Sequence, residues 1–250
     1  MKREIEFLPL KTFVFDSPAE ALESAAREMA NWIRTRRYQR SDAVLGLPTG
    51  DDLEPFYEKM QEMSGIEEKG GLPISGVRPV ILGEIPGGNT LRDWLTGHLL
   101  EPWGIQAERR IHLDTTAESE PACAAFEEQL KTHTMDLCLV RVGADGRVGW
   151  NEPGADANSR TRTIEPSETA RAEFAAVHNG LDAPARVLAP GLATFRGAKR
   201  VRLFAFGAAC AEAIEAAQLP DPDPAHPMSQ FVGHKDFELL LDAEAASVLE

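Results

Sequence analysis

The sequence predicts a single α/β domain built on a doubly wound, mostly parallel sheet with helices on both faces, and three observations predict it. Short apolar runs alternate along the chain with segments whose apolar residues repeat at helical spacing, the order that βαβ units impose. The runs are apolar throughout rather than alternating, as strands buried on both faces must be. At 250 residues the chain can bury about 70–75% of the surface its unfolded form exposes, so its core needs no staple. No internal repeat or low-complexity tract interrupts residues 1–250, and one domain is expected.

Each element has a local cause. Ser17-Pro18-Ala19-Glu20 is a capping box with proline at the first helical position, so a helix starts there. Ala21, Leu22, Ala25, Met29, Ala30 and Ile33 give it one buried stripe. Arg34, Arg36, Arg37 and Arg40 follow and complement the dipole at its C-terminal end. Ala43-Val44-Leu45-Gly46-Leu47 reads as a buried strand, and Pro48-Thr49-Gly50 turns it into a helix carrying Leu53, Phe56, Tyr57 and Met60. Val80-Ile81-Leu82 is the next strand, and residues 90–100 are helical through Leu91, Trp94, Leu95 and His98. A weak strand, Ile111-His112-Leu113, precedes a helix around residues 121–132. Residues 137–142, 187–188 and 201–206 read as further strands, residues 208–217 as a helix and residues 237–241 as the last strand. The proline-rich stretch 219–227 is a stiff loop rather than an interdomain linker, because only a short segment follows it.

Composition excludes several classes of function. Lys and Arg number 26 against 40 Asp and Glu, a formal charge of −14, which weighs against a nucleic-acid partner. Cys123, Cys138 and Cys210 are an odd count without paired spacing, so neither a disulfide framework nor a zinc site is indicated, and a reducing, cytoplasmic setting fits. No apolar run reaches the length of a membrane span and no signal-peptide core opens the chain.

Ligands of parallel sheets bind beyond the carboxyl ends of the strands, and three strand ends carry chemistry. In Gly46-Leu47-Pro48-Thr49-Gly50-Asp51-Asp52, the N–H groups of a tight turn before a helix can hold an anion, with Thr49 and Gly50 as ligands. Asp51 or Asp52 can equally cap that helix and occupy the same groups. In Val142-Gly143-Ala144-Asp145-Gly146-Arg147-Val148-Gly149-Trp150-Asn151-Glu152-Pro153, Gly143 and Gly146 allow close backbone approach to a ligand. Asp145 and Glu152 there can divide acid and base roles, and Arg141 and Arg147 flank Asp145 closely enough to hold it ionised. A glycine-rich surface loop with ordinary salt bridges is the alternative. Leu82-Gly83-Glu84-Ile85-Pro86-Gly87-Gly88-Asn89 places one further carboxylate, Glu84, in a loop that also serves as a turn into a helix capped at Asn89.

Gly46-Leu47-Pro48-Thr49-Gly50, Asp145-Gly146, Asn151-Glu152-Pro153 and Ser159-Arg160-Thr161-Arg162 together resemble the glucosamine-6-phosphate deaminase/isomerase family, related to the 6-phosphogluconolactonases. The resemblance spans residues 8–245 and implies a Rossmann-like fold. It implies carbohydrate metabolism without metal or organic cofactor: opening of an amino-sugar phosphate ring, proton transfer from C2 to C1, and release of ammonia. Asp145 and Glu152 stand at family acid positions, Glu84 at another, and Thr49 and Gly50 in the phosphate loop. The chain departs from the pattern elsewhere. The base position is Gly83 and the ring-opening histidine is Arg147. The phosphate-binding lysine falls on Cys210 and the phosphate-binding arginine on Glu173.

A glycine cannot abstract a proton, and an arginine is no general base near neutral pH. Lost cations and added carboxylates repel a phosphate dianion. Three expectations follow. The chain is an enzyme with a shifted substrate, a sugar or sugar derivative without phosphate. There Glu84 or Glu152 is the base, Asp145 orients its partners and Arg147 holds an anionic group or oxyanion. Alternatively it is a catalytically silent binder of a sugar or effector, or a working deaminase whose missing groups come from elsewhere in the chain or from a neighbouring subunit. The expected partner is a small-molecule sugar or sugar derivative, with self-association left open and no nucleic-acid or membrane partner expected.

Overall fold

The central strands are buried at nearly every position, because successive side chains point to opposite faces and both faces of the sheet are covered. The computed structural model describes residues 2–6, 8–65, 71–179 and 181–249. Its strands are β1 (Arg3–Ile5), β2 (Thr12–Phe15), β3 (Ala43–Leu47), β4 (Val77–Ile81) and β5 (Leu137–Arg141), then β6 (Arg162–Ile164), β7 (Val187–Ala189), β8 (Val201–Ala205) and β9 (Phe237–Asp242). Its helices are α1 (Pro18–Tyr38), α2 (Glu54–Ser64), α3 (Thr90–Leu95), α4 (Ser119–Thr132), α5 (Glu168–Val177), α6 (Leu192–Arg196) and α7 (Ala211–Ala216).

Seven strands form the main sheet in the order β1-β2-β9-β8-β5-β3-β4. Every pairing is parallel except β1 with β2. Leu45, Leu47, Leu137 and Leu139 point to one face, where they meet α1, α2 and the segment after α3. Val44, Cys138, Val140 and Leu203 point to the other, against α4, α6 and α7. The α/β expectation is therefore met, with both faces covered. From β3 the chain moves outward to β4, then returns across β3 to place β5, β8 and β9 on the other side. The order reverses between β3 and β5, which opens a crevice beyond their carboxyl ends.

The N-cap at Ser17 holds: Ser17 accepts from the Glu20 N–H, with proline in the first turn of α1. Arg36 does more than complement a helix dipole. Its Nε lies 3.1 Å from fully buried Asp136, which also accepts from the Val44 N–H and from Lys199. All three cysteines are buried and unpaired.

Several elements differ from expectation. The helix expected over residues 90–100 is α3 followed by a π-helical turn, Thr96–Leu100. The Glu101 N–H reaches back five residues to the Thr96 carbonyl, and within the turn His98 Nδ1 bonds the Trp94 carbonyl at 2.7 Å. The weak strand at Ile111 is one bridge beside Val80, after which Asp114 turns the chain by accepting from the Thr116 N–H. The strand at 187–188 joins β6 in a separate antiparallel pair, because β8 already occupies the seat beside β5. The helix expected at 208–217 opens as a 3-10 turn before α7. Five elements lacked an expectation: β1, β2, β6, α5 and α6. Among them α5 matters most, since it roofs the crevice. Ser167 accepts from the Ala170 N–H at its start, and Ala170, Phe174 and Val177 repeat at helical spacing, a signal that was legible.

Candidate functional site

The crevice at the strand reversal is a cleft of about 670 Å³, its mouth included. Leu47, Pro48 and Thr49 enter it from β3, Ile81, Leu82 and Gly83 from β4, and Val140 and Arg141 from β5. Helix α5 closes the opposite side with Ala170, Glu173, Phe174 and Val177, and His178 follows. Apolar side chains dominate this lining.

Two guanidinium groups line the cleft and both are committed. Arg147, nearly buried, donates to Asp145 at 2.9 Å and to Glu173 at 2.6 Å. It reaches them by folding back across Gly143, where an added Cβ would stand 1.9 Å from the guanidinium. Glycine at 143 is thus required by close approach. Arg147 is desolvated by burial, yet Glu173 and then Asp145 outweigh that and raise its pKa above the ordinary arginine value. Arg141 forms a bidentate pair with Asp52, one arm at 2.6 Å, rather than the contact with Asp145 that the sequence suggests.

The aspartates after Thr49 are not folded onto their own turn. Asp51 accepts from Trp94 Nε1 at 2.7 Å and from the Asn179 N–H at 2.9 Å. Those two bonds hold its carboxyl below the usual carboxylate range. Asp52 is taken by Arg141. The self-capping expected as one alternative from the sequence is not what they do.

Of the eight site residues singled out in the sequence, Thr49 and Arg147 line the cleft. Thr49, Glu84 and Asp145 do follow three adjacent parallel strands, β3, β4 and β5, and so share one sheet edge. Glu84 is buried and its carboxylate accepts from the N–H groups of Ile85, Leu91 and Arg92, each at 2.9 Å, holding the entry to α3. Burial raises its pKa against the pull of those donors. Glu152 accepts from the Ser167 N–H at 2.6 Å and anchors the start of α5. Neighbouring Asn151 is buried, donates to the Val148 and Pro190 carbonyls and accepts from Arg162. Gly143 and Gly146 form the tight turn that presents Asp145, and Gly50 lies directly behind Thr49.

Gly83 has φ of +144°, and a Cβ there would lie 3.2 Å from the Leu188 carbonyl oxygen. The backbone itself, and not only the side chain, is committed to glycine at this position. Among the described residues no group of three or more His, Cys, Asp or Glu is placed to hold a metal.

The sequence reading missed His178. It is buried, stacked on Phe174 at 4.2 Å and edge-on to Trp94. Its Nδ1 lies 3.1 Å from the Phe174 carbonyl and its Nε2 3.1 Å from Thr49 Oγ1. A carbonyl can only accept, so Nδ1 carries the proton and, in the neutral ring, Nε2 accepts from the Thr49 hydroxyl. Burial lowers the His178 pKa below the ordinary imidazole value, with Arg141 adding to the effect. No sequence signal links positions 49 and 178, which the chain brings together only through α5.

No family model matches the chain. Individual relatives do. It is 30% identical over 237 residues to the glucosamine-6-phosphate deaminase of Bacillus velezensis, a match covering 91% of this chain and 95% of that protein. The chain belongs to the glucosamine-6-phosphate deaminase family. The corresponding enzyme of Rhodopirellula baltica is 32% identical over 237 residues, covering 91% and 93% of the two chains. A monomeric glucosamine-6-phosphate deaminase of known structure superposes with a TM-score of 0.84 at 25% identity, over 96% of this chain and all of that one. The 6-phosphogluconolactonase of Trypanosoma brucei shares the fold, with a TM-score of 0.74 at 17% identity over 97% of this chain and all of that one.

The positions at which the sequence resemblance implies departures from the family pattern lie together in space. Arg147 and Glu173, two of the positions so implied, are each other's ion-pair partners. Cys210 stands at a third, and burial together with the Glu173 charge pushes its thiol up to about 11. No helix among the described residues is long and apolar enough to cross a membrane.

Proposed function

We propose that this family member acts in carbohydrate metabolism on an uncharged sugar or sugar derivative, in place of an amino-sugar 6-phosphate. The observation that carries the reading is the neutralisation of both guanidinium groups lining the cleft. Arg147 is held between Asp145 and Glu173, and Arg141 by Asp52. A phosphate dianion entering there meets those carboxylates as well as the cations, each costing on the order of 1–4 kcal/mol at an effective dielectric near 20. Apolar walls suit the carbon face of a sugar ring, and few polar groups are needed to orient it.

The family's deamination does not transfer in this reading. Gly83 offers no base, and Arg147, its pKa raised by Glu173 and Asp145, stays charged near neutral pH. Glu84 and Glu152 spend their carboxylates on backbone N–H groups, which supports a structural rather than proton-carrying role for both, and Asp145 holds Arg147. Calorimetry with glucosamine 6-phosphate, glucosamine and N-acetylglucosamine tests the proposal. The phosphate ester should bind worse than about millimolar while an uncharged sugar binds more tightly. Micromolar affinity for the 6-phosphate, or robust ammonia release from it, would overturn the reading.

A further inference from the structure

The Thr49–His178 pair has the geometry of an activated hydroxyl. The hydroxyl lies within hydrogen-bond reach of a neutral imidazole nitrogen, and a carbonyl fixes the other nitrogen as the protonated one, the three-part arrangement by which enzymes make an alcohol nucleophilic. Thr49 is half-buried and faces the cleft. It sits on a strand-to-helix turn at the carboxyl edge of a parallel sheet, a placement that suits a nucleophile. The turn is rigidly held. Tyr57 donates to the Pro48 carbonyl just before Thr49, and Asp51 and Asp52 are tied to Trp94, Asn179 and Arg141 just after it. Arg141 Nη2 stands 2.9 Å from the point where a Cβ on Gly50 would sit, so the Arg141–Asp52 ion pair packs against the same turn.

We propose that Thr49 and His178 form a nucleophile–base pair that hydrolyses carboxylic esters with uncharged, largely apolar acyl groups. Thr49 Oγ1 attacks the ester carbonyl carbon as its proton passes to His178 Nε2, and the electron pair of the carbonyl moves to its oxygen. Collapse breaks the bond to the alkoxide, which leaves with the proton from Nε2 as an alcohol. Water then attacks the threonyl ester, gives a proton to Nε2, and on collapse that proton returns to Oγ1 as the acid departs. Ester and water become acid and alcohol, with no other reactant. Leu47, Ile81, Leu91, Phe174 and Phe195 line the space available to the acyl chain. This activity goes beyond the binding of uncharged sugars and stands or falls separately from it.

The groups facing His178 are Arg141 from β5, Asp51 and Asp52 from the turn after β3, and Trp94, itself stacked on His98, from α3. Buried imidazole loses its proton below the ordinary range, so the pair should remain active into mildly acidic solution.

The test uses p-nitrophenyl acetate, butyrate, octanoate and hemisuccinate with the full chain, and a fluorophosphonate label located by peptide mass. Turnover should favour apolar acyl groups over the anionic hemisuccinate. It should fall by roughly 10²–10⁴-fold in His178→Gln and in Thr49→Val and persist in Thr49→Ser. Its acid limb should lie below about pH 6.5, and the label should sit on Thr49. Turnover no faster than in buffer, equal turnover in Thr49→Val, or a label elsewhere would overturn the proposal. Should either variant fail to fold, the labelled position in the unmodified protein decides.

Discussion

Replacing Glu173 by glutamine should weaken the fold and strengthen anion binding at once. Glu173 Oε2 receives Arg147 at 2.6 Å, and Oε1 receives the Ala144 N–H at 2.9 Å. Arg147 is only 5% exposed in its side chain, Glu173 29%. Breaking a buried ion pair outright costs about 3–5 kcal/mol. Here water reaches Glu173, Asp145 stays on Arg147, and glutamine keeps one acceptor, so about 1–2 kcal/mol is the expected loss. For a domain of this size that is a fall of about 2–8 °C in Tm. The same change uncovers part of the Arg147 charge toward the cleft. For a phosphate roughly 6 Å from the vanished carboxylate, the gain is about 1–3 kcal/mol after screening, or roughly 5–150-fold in Kd. Thermal melting reads the first effect, and calorimetry with glucosamine 6-phosphate at fixed ionic strength reads the second. A lowered Tm with unchanged phosphate affinity would refute the charge-masking argument, because Glu173 would then be a packing residue with no bearing on ligand charge.

Two further outcomes are expected. Glu84→Ala strands the N–H groups of Leu91 and Arg92 at the entry to α3, together with that of Ile85, and should cost about 2–4 kcal/mol in urea unfolding; an unchanged midpoint would show that water satisfies those donors. His178, with its pKa lowered by burial, takes up its proton on unfolding once pH drops below the ordinary imidazole value of about 6.5, so its contribution to stability is complete above that pH and declines below it. The acid loss of stability should therefore be shallower in His178→Gln, and identical pH profiles would contradict the buried, neutral assignment.

The α/β class, the positions of β3, β5 and β8, and the capped start of α1 were all legible in the sequence. Each rests on neighbours within about twenty residues: apolar runs that satisfy two faces, or a serine and proline before a helical stripe. So were the strand ends that carry Thr49, Glu84 and Asp145, because in a parallel sheet every such end reaches the same edge. What each carboxylate does there depends on partners distant in sequence. Glu84 looked like a free acid but holds three backbone N–H groups, and Glu152 holds the first turn of α5. Arg141 appeared to flank Asp145, yet its partner is Asp52, 89 positions away. His178 lies 129 positions from the hydroxyl it faces. Sequence alone determined the layers and the edge at which chemistry would sit, since hydrophobic periodicity is a local property of the chain. Only the tertiary structure decided which charges cancel and which hydroxyl meets which base. The Arg147–Glu173 and Thr49–His178 pairings are set by α5, and Arg141–Asp52 by the neighbouring strand ends, where buried polar groups must find partners or bear the cost of desolvation.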